Sequence, residues 1–169
     1  NHSTLILDNT SICKFTKDKY GNLIIQKNFK ILEKKIIFEN NLWHLSGSHD
    51  GYQKKFGIIH NREIKFFPDY YKIEGKDGLI KKKNFKSTNF EIRFHLLPNS
   101  KATKTIDGKS ILIELENSGW KFSCKDHLID IETGLYFGNK NSFIENQNIF
   151  ITGITQKEEQ FIEWKIEKI

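Results

Sequence analysis

The chain has 169 residues, 37% of them hydrophobic and 13% aromatic, and carries a formal net charge of +6 with a pI near 9.2. That length fits one domain with a real core, and 14 Phe are too much apolar bulk for a disordered segment. No stretch reaches the roughly 18 to 20 apolar residues of a membrane span, and the lysines are scattered rather than massed, which argues against a nucleic-acid partner.

Ser3 to Leu7 reads as a short strand closed by the turn-like Asp8-Asn9. Phe29 to Phe38 is apolar at intervals that partly fit a helix, but the missing N-cap and the β-branched residues favour a strand. Ser46 to Tyr52 reads as a polar loop of the kind that carries function on rigid sheets, with His49 either in a site or simply bonded to Asp50 or a backbone carbonyl. Gly57 to Phe67 and Asn89 to Leu97 alternate over long runs, and Pro68 and Pro98 follow directly, where a missing amide hydrogen does no harm. Lys81-Lys82-Lys83 fits a solvated turn or a blunted sheet edge.

Further on, Asp107-Gly108 marks one hairpin turn and Glu116-Asn117-Ser118-Gly119 another, the latter joining Ser110–Leu115 to Trp120–Cys124. Asn148 to Thr152 and Phe161 to Ile169 complete the strands. Cys13 and Cys124 stand far apart with no CxxC spacing, so two buried free thiols are expected. His44 and His127 read as ordinary surface or half-buried histidines. With no repeat or linker, the expectation over residues 1–169 is one all-β, antiparallel multi-stranded β-sandwich, supersandwich-like, with essentially no helix.

The basic residues number 27, and only Arg62 and Arg93 are arginine. Each lies two positions from a histidine, in His60-Asn61-Arg62 and Arg93-Phe94-His95. The planar guanidinium grips carboxylates and sulfates in a way lysine cannot copy. Two readings stay open: both arginines meet an anionic ligand, or both sit in structural ion pairs. Period-two alternation puts His60 and Arg62 on one strand face, and Arg93 and His95 on another. If the two strands are neighbours, these sets line one cationic wall suited to an acidic sugar polymer, which the positive charge would steer inward. His49, Tyr52, His60, Arg62, Arg93 and His95 are therefore the candidate substrate-binding residues. No nucleophile elbow, P-loop, dinucleotide fingerprint or glycosidase carboxylate pair is present.

Four segments in order resemble the heparinase II/III-like family. Asn1-His2-Ser3-Thr4-Leu5-Ile6-Leu7-Asp8 is similar to its "HSTL/HNTL-x-x-D" strand, and Ser48-His49-Asp50-Gly51-Tyr52 with Gly57-Ile58-Ile59-His60-Asn61-Arg62-Glu63 to its "SHDGY…G-x-x-H-x-R" block. Ile92 to Pro98 resembles its "RFHLxP" strand, and Gly119-Trp120-Lys121-Phe122 its "GWxF" strand. The resemblance runs essentially from Asn1 to the end and is nearest to bacterial members.

It implies the C-terminal β-sheet part of a polysaccharide lyase whose N-terminal α-helical toroid lies upstream as a partner domain. Beginning at Asn1 and lacking Met, the sequence is expected to be a piece of that longer protein, with periplasmic and cytoplasmic placements both open. Such lyases cleave uronic-acid polysaccharides by β-elimination: the C5 carboxylate is neutralised, the C5 proton abstracted, and the leaving oxygen protonated. In the family most of those groups come from the toroid, so this chain alone is expected to be silent. The resemblance also makes His2 a zinc ligand, joined by an upstream His and Asp; otherwise it is only a polar residue at a strand start. Zinc is thus expected in the longer protein and none in this part. The alternative is a non-catalytic carbohydrate-binding or scaffolding β-sandwich.

Overall fold

A computed structural model describes residues 3–27, 29–138, 142–156 and 158–169, without the side chains of Lys14 and Lys27. In chain order these form β1 (Leu5–Leu7), β2 (Cys13–Lys17), β3 (Leu23–Lys27), β4 (Ile31–Glu39), β5 (Leu42–His49), a helical turn α1 (Gln53–Phe56), β6 (Ile58–Phe67), a 3-10 turn (Pro68–Tyr70), β7 (Lys72–Lys81) and β8 (Asn89–His95). Then follow β9 (Lys101–Lys104), β10 (Ser110–Leu115), β11 (Ser118–Cys124), β12 (Leu128–Tyr136), β13 (Ile144–Ile154) and β14 (Gln160–Lys168). No helix among the described residues is long and apolar enough to cross a membrane.

An eight-stranded sheet runs β4-β5-β6-β7-β14-β11-β10-β9, a four-stranded sheet runs β1-β8-β13-β12, and β2-β3 form a separate hairpin. The two larger sheets pack face to face as an antiparallel sandwich. Their shared core follows the alternation: Phe90, Ile92 and Phe94 from β8, and Ile149 and Ile151 from β13, meet Ile111, Phe122, Ile162 and Trp164 from the large sheet. At the centre, Phe94 sits edge-on to Trp164, ring centroids 4.7 Å apart, and near Phe122 at 5.0 Å. Such aromatic clusters bury large area and fix the spacing of the layers.

Alternating apolar residues became strands wherever one face was buried. Ile31 to Phe38 of the ambiguous stretch is strand, not helix, although it is mostly exposed, and both hairpins around β10 form, the second with Leu115 opposite Ser118 across a two-residue turn. Five strands escape the sequence pattern: β2, β3, β5, β7 and β12. In β7, Gly75, Asp77 and Gly78 look like turn residues, yet Gly75 is required by close approach, since the Trp164 indole lies where its side chain would be.

Two local expectations are corrected. Ser46 to His49 is not loop but the end of β5, because His49 pairs opposite His60; only Asp50 to Tyr52 turn the chain into α1. Gly57 ends that turn at φ +67, a conformation glycine supplies without strain. Lys82 and Lys83 are solvated as expected, but Lys81 closes β7 with its ammonium enclosed, unbonded and 4.8 Å from the Phe85 ring centre. Burial pushes its pKa down to about 8.

Candidate functional site

The most enclosed polar group is Asp77, an inward-facing residue of β7 with no solvent exposure. Strand pairing sets it opposite Arg62 of β6, and Gly75 and Gly78 on either side keep its strand slender. Arg62 grips the carboxylate with both prongs of its fork, Nε to Oδ1 at 2.7 Å and Nη2 to Oδ2 at 3.1 Å. His60 donates from Nε2 to Oδ1 at 2.6 Å, and the Trp164 indole N–H to Oδ2 at 2.8 Å. Burial alone would raise the Asp77 pKa; the His60 hydrogen bond and the Arg62 charge more than offset it and hold the carboxyl below its ordinary range.

The network continues outward. Gly51 N–H donates to His49 Nδ1, so His49 carries its proton on Nε2 and donates it to His60 Nδ1 at 3.2 Å. His60 then holds its own proton on Nε2, facing Asp77. Hydrogen bonding therefore orders the two rings in one directed chain. Burial, reinforced by the neighbouring His60 and by the Arg62 charge, pushes the His49 pKa down to about 4.

At its other end Arg62 donates from Nη1 to the Ser3 carbonyl at 2.6 Å. The Ser3 hydroxyl in turn accepts from the His95 backbone N–H at 3.1 Å. Ser3 is thus held from β6 of one sheet and β8 of the other, at the entry to β1.

The second polar cluster lies on the outer face of the four-stranded sheet. Arg93 donates to Glu91 through Nη2 at 2.6 Å and Nε at 2.9 Å, and pairs with Glu132 of β12 through Nη1. His95 Nδ1 donates to the buried Asn148 Oδ1 at 2.8 Å, leaving Nε2 as an acceptor.

This geometry corrects the idea of one shared wall. β6 neighbours β5 and β7, whereas β8 neighbours β1 and β13, so the two His/Arg sets lie in different sheets. Both guanidinium groups are already paired with carboxylates of the chain. Of the six candidates, His49, His60 and Arg62 form one network, and Arg93 and His95 lie in the other cluster. Tyr52 stands beside His49, ring centroids 5.8 Å apart, but is 2% exposed, and its hydroxyl donates to the Leu5 carbonyl at 2.8 Å. His60, at 4% exposure, is equally shut in. A groove of about 490 Å³ opens on the other face of the large sheet among Glu63, Lys65, Glu74, Lys76, Glu163 and Lys165, and contains none of the six.

Sequence reading missed Asp77, Ser3, Glu132 and Asn148. Asp77 shows itself only once β7 is recognised as the strand beside β6, and the other three only through the order of strands. His2 lies outside the described residues. Among the described residues no group of three or more His, Cys, Asp or Glu is placed to hold a metal ion, and both nitrogens of His49 are engaged, so they do not by themselves fit zinc. Cys13 and Cys124 are free and half-buried, and burial pushes the Cys124 thiol up to about 12.

A family model described as "Heparinase II/III-like, C-terminal" matches residues 1–165. No curated protein matches the sequence. Among solved structures, the heparan sulfate lyase HepC from Pedobacter heparinus superposes with a TM-score of 0.74 at 16% identity, covering 99% of this chain and 24% of that one. The heparinase III BT4657 gene product gives 0.70 at 14% identity, again over 99% of this chain and 24% of that one. The chain thus spans about a quarter of the structures it resembles, and at such identities the likeness is one of fold.

Proposed function

The chain belongs to the heparinase II/III-like family, whose C-terminal domain its residues 1–165 match, and on that premise we propose that it is the β-sheet domain of a bacterial polysaccharide lyase cleaving a uronic-acid-containing anionic polysaccharide by β-elimination. The family match over nearly the whole chain carries this reading. An N-terminal α-helical toroid in the longer protein supplies the main proton-transfer groups, and this domain closes the substrate cleft.

The interior network gives that role a physical basis. A buried carboxylate held by a bidentate arginine, a histidine and an indole is rigid, and its one outward arm, Arg62 Nη1, ends on Ser3. Arg62, His60 and Tyr52 act as positioning residues that set the entry to β1. His49, with both ring nitrogens engaged, belongs to the same positioning network, whereas Arg93 and His95 are less enclosed and take the direct contacts, with His95 Nε2 accepting a sugar hydroxyl and Arg93 meeting carboxylate or sulfate at the edge of its own pairs. Zinc, in this proposal, is bound in the longer protein through His2 with ligands beyond this chain, and metal analysis finding none there removes it.

The test is to incubate the longer protein with a panel of uronans and follow the ultraviolet absorbance of the unsaturated product. Product from at least one uronan is the expected result. Retained binding without product from any of them would assign the domain to carbohydrate binding or scaffolding instead.

A further inference from the structure

On the outer face of the four-stranded sheet, His95, Asn148 and Glu132 stand in one row of cross-strand neighbours, with Asn146 opposite Gly134 in the next. The two asparagines face outward, yet they are only 4% and 7% exposed. Gly134 makes room for them, since any side chain there would take the place of the Asn148 amide. A backbone carbonyl orients the whole row. Leu96 C=O can only accept, so Asn146 turns its Nδ2 toward it at 2.6 Å. The same Nδ2 reaches Asn148 Oδ1 at 3.3 Å, and Asn148 Nδ2 points at Glu132 Oε1 at 3.4 Å. Turning the Asn148 amide over would set N–H against N–H on one side and oxygen against carboxylate on the other. Its Oδ1 therefore faces His95 Nδ1 at 2.8 Å, and that nitrogen must carry the ring proton.

We infer that Asn148, set by Asn146, is a positioning residue that presents His95 Nε2 as a fixed hydrogen-bond acceptor to a substrate hydroxyl, an inference that rests on the lyase-domain reading above. Two observations favour this over an amide pair that merely holds the sheet. Asn146 Oδ1 is enclosed with no partner among the described residues. A buried acceptor left unpaired costs stability, so the pair is arranged for the direction of its donors and not for the strength of the fold. Glu132 is also shared, because it both receives the Asn148 amide and pairs with Arg93 Nη1. The acceptor of His95 and the cation of Arg93 are thus tied to one row, two residues apart on the same strand face. A hydroxyl beside an acidic group is the ligand such a pair fits.

Two measurements on the longer protein test this. In nitrogen NMR of protein labelled only at histidine, with the His95 signals assigned by their loss in His95→Gln, Nδ1 is expected to be protonated and Nε2 bare. In Asn148→Leu the two nitrogens should move toward averaged positions. A His95 that is protonated on Nε2, or already averages in the wild type, would overturn the inference. The second measurement is a double-mutant cycle on kcat/KM with a uronan. Asn148→Leu and Gly134→Ala, which displaces the Asn148 amide without removing a polar group, should each cost about tenfold, and nothing further once His95→Gln is in place. The same loss repeated in the His95→Gln background would assign the asparagines to structure and overturn it too. A wild type that turns over no uronan, while its spectra show the fixed ring, would sink the lyase reading and leave the relay standing.

Discussion

Both arginines stand two residues from a histidine, yet Arg62 and Arg93 work in opposite surroundings. Arg62 points between the sheets at a carboxylate with no solvent exposure, whose partners leave it no room for water. Arg93 lies on an outer face, its side chain about a quarter exposed, and shares itself between Glu91 and Glu132. The short motif therefore says nothing about role. What decides it is whether the facing strand brings a buried or a wetted acid, because desolvation makes the first pair obligatory and solvent screening makes the second expendable.

The strongest way to break the contrast is Asp77→Asn. It leaves the Arg62 charge without a counter-ion in the interior, and a loss of about 3–5 kcal/mol is expected in urea unfolding. A loss under about 1 kcal/mol would mean that water reaches the site and that the two clusters are alike after all.

Acid sharpens the comparison next. Unfolded His49 takes up its proton near pH 6.5, whereas folded His49 does so only near 4. Between those values the unfolded state holds more protons, so stability falls as pH drops through the window, by on the order of 2–3 kcal/mol. Asp77 acts lower: its carboxyl is held below the ordinary range, so its contribution is present above that range and is lost only as pH falls further. His49→Gln should flatten the loss between about pH 6.5 and 4, and an unchanged profile would remove His49 as its cause.

The smallest effects come from paired lysine substitutions. Arg62→Lys forfeits the fork and the Ser3 bond and should cost about 1–3 kcal/mol, and under the proposed lyase function turnover of the longer protein should fall as Ser3 shifts. Arg93→Lys should cost about 0.5 kcal/mol, as partly exposed pairs do. Turnover lost in Arg93→Lys without loss of stability would show that Arg93 touches substrate.

These contrasts also explain what was legible in the sequence. β6, β8, β10 and β14 could be read because one face of each is buried and alternation records that. β7 could not, because Gly75 and Asp77 answer to Trp164 and Arg62, residues distant in sequence. The β2-β3 hairpin was missed because Phe15, Leu23 and Ile25 face outward, so no buried side disciplines the pattern. The candidate site was half legible: His49, His60 and Arg62 do converge, but Asp77 at their centre and the separation of Arg93 depend on which strands are neighbours, and strand order leaves no mark in local sequence.

The fit of Trp164 over Gly75 has a consequence for how this fold can vary. Any side chain at position 75 would displace the indole, and with it the N–H that helps hold Asp77. A change at one of these two positions is therefore admissible only alongside a compensating change at the other, larger for smaller. In a library randomised at both, survivors should divide into two separate populations, glycine with a bulky ring or a bulkier residue with a small partner, and almost nothing between.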